Sequence, residues 1–295
     1  MRIRATVAAV CGGALALSAL AIPAAQASQP GGDRTWSGGY GVELPAAPDT
    51  KAPDAKSRMA ANAVINEGDT KITKVVVNNG KPIVVGTKSK QKATIAITAT
   101  DNSGIANAAT VIWIGSSIDD EDTYGFNQNE DWATCKAANA TTATCTLTVT
   151  VDPAWLLNSD AGNKWHVGAA VLANDGDFAQ NDASAMVRMQ RFSKLTVNAS
   201  PEPVKKGATL TATGKLTRAN WDTGTYKGYT VQPVKLQFRK KTSSTYTTVK
   251  TVKSSSTGAL KTTTKASADG YWRYSFAGTS TTPAVTTAGD YVDVK

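Results

Sequence analysis

The segment Cys145-Thr-Leu-Thr-Val-Thr-Val151 decides the fold class of this chain. Cysteine, leucine and valine occupy its odd-numbered positions and threonine its even-numbered ones, so the hydrophobic period is two residues. Successive side chains of a β-strand point to opposite faces of a sheet, and this period therefore predicts a half-buried strand. A strand with one apolar face needs a second sheet to cover that face. The segment thus predicts a layered, all-β structure.

Short strand-like runs recur through the first half of the chain, from Ile72 to Phe192. Turn-forming sequences separate them, among them Asn79-Gly80, Asp101-Asn-Ser-Gly104 and Asn174-Asp-Gly-Asp177. Seven strands in about 120 residues is the number found in an immunoglobulin-like sandwich. The predicted strands are residues 75–77, 83–85, 93–99, 110–114, 145–151, 165–173 and 185–189.

The second half of the chain repeats this plan. In residues 208–216, alanine, leucine and glycine alternate with threonine and lysine, and residues 234–239 alternate in the same way. The predicted strands are residues 195–199, 208–216, 231–239, 246–252, 260–266, 271–277 and 291–294. We therefore predict two tandem immunoglobulin-like β-sandwiches, one at residues 71–192 and one at residues 193–295.

The N-terminal residues have the features of an export signal. Arg2 and Arg4 precede an apolar stretch at residues 5–22, and Ala25-Gln-Ala27 offers the small residues that a signal peptidase accepts. Residues 1–27 are therefore predicted to be a signal peptide that directs secretion.

A leader is predicted between the signal peptide and the first sandwich, at residues 28–70. This region is rich in Gly, Pro, Ala, Asp and Ser and has no sustained hydrophobic period, which is typical of a flexible linker. No second apolar run of about 20 residues follows the signal, so no transmembrane segment is expected after its removal.

Three cysteines occur, and Cys11 lies inside the predicted signal peptide. Lipidation of Cys11 is disfavoured because Val10 precedes it, where a lipidation motif requires a small residue. Cys135 and Cys145 remain, and an even pair in an oxidising compartment predicts one disulfide. No Cys-x-x-Cys pattern is present, so the bridge is expected to be structural rather than redox-active.

Charge is unevenly distributed along the chain, whose formal net charge is +9. Residues 193–295 contain 13 Lys and 3 Arg against 1 Glu and 4 Asp, a net charge of +11, and the first 192 residues sum to −2. We therefore expect the second domain to attract anionic partners, such as a cell-wall polymer or an acidic glycan. The residues predicted to bind an anionic ligand are Lys235, Arg239, Lys240, Lys241, Lys250 and Lys253.

One other interpretation of this basic surface follows from general rules. Lysine also solubilises exposed faces and protects edge strands without binding a ligand. No base-reading motif accompanies the cations, so sequence-specific recognition of nucleic acid is not expected.

An acidic loop at Asp119-Asp-Glu-Asp122 predicts a candidate metal site. Consecutive carboxylates repel one another, and calcium, which takes six to eight oxygen ligands, would relieve that repulsion. The spacing is not that of an EF-hand, and a solvated acidic loop is the alternative. The predicted calcium ligands are Asp119, Asp120 and Asp122. Asn174, Asp175 and Asp177 form a second candidate, whose alternative is a tight turn.

Little in the sequence points to an enzyme. His166 is the only histidine, no Gly-x-Ser-x-Gly elbow accompanies it, and its place in a predicted strand indicates an ordinary sheet position. A secreted hydrolase or lyase acting on polysaccharide is the competing class, and it requires a cleft that joins His166 to carboxylates or serine. Two roles are open for aromatic residues such as Trp221, Tyr226 and Tyr229. One is glycan binding and the other is core packing. A purely structural spacer is the third possibility.

Five segments carry a family resemblance. They include Pro233-Val-Lys-Leu-Gln-Phe238 and Ala266-Ser-Ala-Asp-Gly-Tyr-Trp272, together with residues 193–207, 216–221 and 98–105. These segments resemble secreted actinobacterial proteins with tandem immunoglobulin-like domains, some of which are labelled calcium-binding. The resemblance implies export and the fold. Together with the patterns above, it leads us to predict a secreted, extracellular and non-enzymatic binding protein with an association with the cell wall.

Overall fold

The computed structural model describes residues 64–120 and 123–295, which form twenty β-strands. Three short 3-10 turns lie at Asn78–Gly80, Pro153–Trp155 and Asn158–Asp160. The strands of the first half are β1 (Val64–Glu67), β2 (Lys71–Val77), β3 (Ile83–Val85), β4 (Gln91–Thr100), β5 (Ile105–Ile114), β6 (Tyr124–Asn127), β7 (Thr134–Asn139), β8 (Thr142–Val151), β9 (Gly162–Ala173) and β10 (Phe178–Arg191). Those of the second half are β11 (Ser193–Leu195), β12 (Asn198–Ser200), β13 (Thr209–Asn220), β14 (Thr225–Gly228), β15 (Pro233–Lys240), β16 (Thr247–Lys253), β17 (Ala259–Lys265), β18 (Gly270–Phe276), β19 (Val285–Thr286) and β20 (Asp290–Val292).

The first half of the chain folds into two facing sheets. One has the strand order β2-β4-β8-β7, which is the A-B-E-D order of an immunoglobulin domain. The other has the order β1-β10-β9-β5-β6, in which β10-β9-β5-β6 are equivalent to G-F-C-C′, and β3 joins the end of β10 in parallel. The predicted immunoglobulin-like sandwich is confirmed for this half.

The period-two segment in β8 packs as its pattern predicts. Cys145, Leu147, Val149 and Val151 are at most 1% exposed, whereas the threonines between them lie on the opposite face. Ile95 of β4 pairs directly with Leu147, and both belong to the core of this sandwich. A core of this kind is the main contribution to stability, because burying a large apolar side chain contributes about 1.5 to 3 kcal/mol.

The second half forms a second sandwich around the long strand β13. This strand pairs with β12 and β17 along its first part and with β11 and β14 along its second part. The facing sheet has the order β16-β15-β18, with β19 and β20 both paired to β18. Leu236 and Trp272 lie in the core between the sheets, and the Tyr274 hydroxyl donates a 3.0 Å hydrogen bond to the Ala212 carbonyl across them. Burial raises the pKa of Tyr274 to about 12.

The two sandwiches follow one another with almost no linker. β10 ends at Arg191 and β11 begins at Ser193. The Arg191 backbone N–H donates to the Thr281 carbonyl at 2.9 Å, and its side-chain Nε donates to the Ala219 carbonyl at 2.6 Å. Arg191 is 6% exposed, and burial, together with the charge of Arg218, lowers its pKa to about 10. The junction is therefore a packed and hydrogen-bonded interface.

Trp221 of the second half extends into the first sandwich. Its side chain is 5% exposed and belongs to the apolar core that β4 and β8 build. The indole Nε1–H lies 3.0 Å from the Gly86 carbonyl and 3.3 Å from the Val85 carbonyl. The Trp221 backbone N–H donates to Asn158 Oδ1 at 3.0 Å. One side chain thus couples the two sandwiches.

Several sequence-based boundaries differ from the structure. The leader predicted at residues 28–70 ends too late, because Val64–Glu67 pairs with β10 as a strand and Thr70 is buried. Thr225–Gly228, which is not among the predicted strands, pairs with β13. Both strands have only four residues, too few for a period to be visible. The predicted signal peptide, the rest of the leader and Asp122 lie outside the described residues.

Candidate functional site

The outer face of the β16-β15-β18 sheet carries a group of cations and tyrosines. Directly paired residues of antiparallel strands present their side chains on the same face. Inward-facing Leu236 is buried, so its neighbours along β15 face outward. The outward pairs between β15 and β18 are Lys235 with Ser275, Gln237 with Arg273, and Arg239 with Tyr271. We call the surface formed by Lys235, Arg239, Lys241, Tyr246, Tyr271, Arg273 and Tyr291 the arginine–tyrosine face.

Cations and rings alternate across the arginine–tyrosine face. The guanidinium of Arg273 lies 3.7 Å from the ring centroid of Tyr246, and that of Arg239 lies 3.9 Å from Tyr271 and 5.4 Å from Tyr246. Tyr271 and Tyr291 are in contact at 5.2 Å between centroids. Lys241 Nζ lies 5.5 Å from the Tyr291 ring. Cation–π contacts of this kind contribute about 0.5 to 1 kcal/mol each at exposed sites.

The arginines of this face keep hydrogen-bonding capacity for a ligand. Arg239 Nη1 donates to the Ser243 carbonyl at 2.8 Å, and Arg273 Nε donates to Gln237 Oε1 at 2.8 Å. A guanidinium has five N–H donors, so most of those on each arginine are available to an oxyanion. In the part of the chain that the structure describes, Arg239, Arg273 and Lys235 form no ion pair.

The structure divides the six cations predicted to bind an anionic ligand. Lys235, Arg239 and Lys241 lie on the arginine–tyrosine face, and Lys253, opposite Pro233, shares its side of the sheet. Lys250 pairs with the inward-facing Leu236, and Lys240 follows Arg239 in the strand, so both occupy positions of the opposite face. The structure therefore does not bring Lys240 and Lys250 onto the arginine–tyrosine face. A register shift between Leu236 and Gln237 contributes to the difference.

Three aspartates converge in the first sandwich. Asp69, Asp101 and Asp177 lie in or beside the β1–β2, β4–β5 and β9–β10 turns, and one carboxylate oxygen of each lies within 4.8 Å of the others. Asp177 Oδ2 accepts the Asp69 backbone N–H at 3.0 Å. Gly68, with φ +71°, permits this approach, since a Cβ there would lie 1.5 Å from Asp177 Oδ2. These oxygens form an arrangement that suits a hard cation.

Asp101 is the buried member of this cluster, at 3% exposure. Its Oδ2 accepts the Thr70 hydroxyl at 2.5 Å, and its Oδ1 accepts the backbone N–H and the hydroxyl of Ser103 at 2.7 and 2.6 Å. Burial by itself would raise the pKa of Asp101, but these hydrogen bonds outweigh it and the pKa lies below the ordinary value.

The lowered pKa of Asp101 predicts a pH dependence of stability. A carboxylate with a depressed pKa contributes stability above the unfolded pKa of about 3.9 and loses it as the pH falls through the folded pKa. We expect Asp101→Asn to lower the free energy of unfolding at neutral pH and to reduce its decline in acid, measured by urea unfolding at a series of pH values. Asp119→Asn is the matched control. An Asp101 variant with the full wild-type acid dependence would contradict this assignment.

The acidic loop predicted to bind calcium is built differently. Asp119 and Asp120 are exposed, and Ile118 immediately before them is buried. Asp120 accepts hydrogen bonds from the Ser116 hydroxyl and the Ser117 backbone N–H. Partial burial and the charge of Asp120 raise the pKa of Asp119. Within the described residues, neither joins a group of three metal-ligating side chains.

The second candidate set is also divided. Asp177 belongs to the converging cluster, but Asp175 Oδ1 accepts the Asp177 backbone N–H at 3.1 Å, as expected for a tight turn. Asn174 Nδ2 donates to the Ser103 carbonyl at 2.8 Å and joins the two turns. Asp69 and Asp101 were not predicted as ligands. The sequence feature that could have identified them is that both lie at turns, like Asp177.

His166 occupies a sheet position in β9. Its ring stacks on Trp113 at 4.3 Å between centroids, and burial lowers its pKa. Its Nδ1 atom is buried without a hydrogen-bond partner among the described residues.

The aromatic residues considered for glycan binding lie in different environments. Trp221 and Tyr229 are buried, and the ring of Tyr226 is partly covered by Lys194, whose Nζ lies 3.7 Å from the ring centroid.

The predicted disulfide is confirmed. Cys135 and Cys145 are bonded and directly paired between β7 and β8. The bridge joins β7, the edge strand of the β2-β4-β8-β7 sheet, to the neighbouring strand β8, and Cys145 lies in the core of the first sandwich. Its position supports a structural role.

Three solved structures with low sequence identity are similar to between 72% and 78% of this chain. The D00-D0 domain of intimin is 16% identical, with 74% of this chain and 99% of that chain covered and a TM-score of 0.25. The ectodomain of mouse nectin-like molecule 4 is 12% identical, with 78% and 66% covered and a TM-score of 0.23. The teleost fish polymeric Ig receptor ectodomain is 14% identical, with 72% and 95% covered and a TM-score of 0.22.

A family model matches part of the chain. Residues 83–173, from β3 to β9, match the "Family of unknown function (DUF5707)". None of the curated proteins compared with the chain matches it. No helix among the described residues is long and apolar enough to cross a membrane. The strand orders of the chain itself define its class, a tandem immunoglobulin-like protein.

Proposed function

We propose that this protein is an exported, non-enzymatic binding protein whose basic second domain attaches it to anionic polymers at a cell surface. One observation carries the proposal. Residues 193–295, all of which are described, have a net charge of +11, and Lys295 with Asp293 at 3.9 Å is the ion pair found among them. Most of the positive charge is therefore available to an external polyanion. The disulfide, the predicted signal peptide and the resemblance to secreted proteins support export.

Binding to walls tests this proposal. We expect the purified protein to sediment with isolated Gram-positive cell walls at an ionic strength of about 0.02 M and to remain mostly in solution at about 0.3 M, because salt screens exposed charges. Bovine serum albumin, an acidic protein, is the control for trapping in the pellet. Retention that does not depend on salt, or no retention at low salt, would contradict the proposal.

Calcium binding is a second property that we propose, and the cluster of Asp69, Asp101 and Asp177 favours it over the acidic loop. Three carboxylates from different turns are held close together by backbone and hydroxyl hydrogen bonds. Calcium prefers several oxygen ligands, and its charge would offset the mutual repulsion of these groups. The ion would then tie three turns at one end of the first sandwich.

Thermal unfolding with and without calcium tests this property. A bound ion at ten times its dissociation constant stabilises the folded state by about 1.4 kcal/mol, so we expect the melting temperature to rise at millimolar calcium. The rise should disappear in Asp69→Asn/Asp177→Asn and persist in the control Asp119→Asn/Asp120→Asn. A rise that is lost only in the Asp119→Asn/Asp120→Asn variant would show that calcium binds the acidic loop instead. No rise in the wild type would reject calcium binding.

A further inference from the structure

Two like charges lie close together on the arginine–tyrosine face. Arg239 pairs with Tyr271 and Arg273 pairs with Gln237, so the two arginines are diagonal neighbours on adjacent strands. Diagonal neighbours on one face are about 7 to 8 Å apart. Two positive charges at that distance repel by Coulomb's law. Both guanidinium groups contact the ring of Tyr246, at 5.4 and 3.7 Å. No described carboxylate pairs with either, so an external anion would relieve this repulsion.

The same contacts fix the two guanidinium groups in place. Each is stacked on a tyrosine ring and held by one hydrogen bond, Arg239 to the Ser243 carbonyl and Arg273 to Gln237. A planar guanidinium binds a carboxylate, phosphate or sulfate group through two parallel N–H donors. Because the side chains are already ordered, binding costs less conformational entropy than it would for free lysines.

Rings and hydroxyl groups surround the two charges. Tyr246, Tyr271 and Tyr291 are neither buried nor fully exposed, so each presents part of its side chain to solvent. Ser275 and Thr286, whose hydroxyls are 3.0 Å apart, continue the polar surface on β18 and β19. Partly exposed rings suit the C–H faces of sugar rings, and hydroxyl groups can donate to and accept from sugar hydroxyls.

We propose that the arginine–tyrosine face is the binding site for an acidic polysaccharide, with Arg239 and Arg273 holding its anionic groups and the tyrosines contacting its sugar rings. This inference rests on the proposed function, because it names the surface and the chemistry behind the attraction to polyanions. An acidic polysaccharide combines the two features that the face offers, since a polypeptide polyanion or polyphosphate lacks the sugar ring.

Equilibrium binding of fluorescent polygalacturonate oligomers to the purified protein tests the inference. We expect Arg239→Lys/Arg273→Lys, which keeps the net charge, to weaken binding by at least about tenfold because lysine cannot form the paired hydrogen bonds. The matched control is Lys261→Gln/Lys265→Gln, which removes two exposed charges from β17 in the other sheet. It is expected to weaken binding by less than about threefold. Unchanged urea midpoints confirm that both variants fold.

Each other outcome overturns a defined part of the account. Equal effects of the two double variants, or no effect of the arginine pair, would show diffuse attraction and reject the face while leaving the proposed function intact. Binding of polyglutamate or polyphosphate as tight as that of polygalacturonate would reject the sugar specificity, and tighter binding of single-stranded DNA would replace it with nucleic acid. No binding to any polyanion at low salt would reject the proposed function itself.

Discussion

Replacing Trp221 with alanine is expected to lower the free energy of unfolding by about 3 to 5 kcal/mol. Trp221 belongs to the second half of the chain, yet its indole is buried in the core of the first sandwich and donates to the carbonyl oxygens of Val85 and Gly86. Truncation leaves a large cavity and two carbonyls without this donor. Urea unfolding followed by far-UV circular dichroism measures the loss.

A control of the same residue type is available for this substitution. Trp155 is 74% exposed, so Trp155→Ala is expected to change the free energy of unfolding by less than about 0.5 kcal/mol. Because Trp221 couples the two sandwiches, its loss is also expected to separate their unfolding into two transitions. A cost for Trp221→Ala below about 1 kcal/mol would contradict the packed junction.

Removing the disulfide is expected to have the second largest effect. Cys135 and Cys145 are ten positions apart, and in the chain-entropy model a closed loop of this size stabilises the folded state by about 3 kcal/mol. We expect Cys135→Ala/Cys145→Ala to lose most of this amount in urea unfolding. The bridge also ties β7, whose residues are mostly exposed, to the core strand β8.

The reductant provides the internal control for the disulfide. A phosphine reductant is expected to destabilise the wild-type protein under conditions that open the bridge and to leave the double alanine variant unchanged. If the double variant is as stable as the oxidised wild type, β7 is held without the bridge and its structural role is refuted.

The sequence predicts strands well where one face is buried against a second sheet. The alternation in residues 145–151 and 208–216 identifies β8 and β13, because burial acts on every second residue. β7 escaped prediction because it is exposed on both faces and has no apolar period. β1 and β14 escaped because each has only four residues and depends on its partner strand.

The candidate sites depend on contacts between strands that are distant in sequence. Alternation in β15 predicts that Lys235 and Arg239 face outward, but only the register with β18 places Tyr271 and Arg273 beside them. Tyr246 and Tyr291 come from different parts of the chain, with no shared motif. Asp69, Asp101 and Asp177 are likewise brought together by strand order, which sequence spacing does not encode.

Hydrogen–deuterium exchange of the purified protein with and without saturating polygalacturonate oligomers tests the central claim most directly. Binding on the outer face of the second sandwich predicts slower exchange in β15, β16 and β18, with β13 and β17 of the opposite sheet unchanged. Protection confined to the first sandwich, or spread equally over both sheets of the second, would contradict the arginine–tyrosine face as the binding surface.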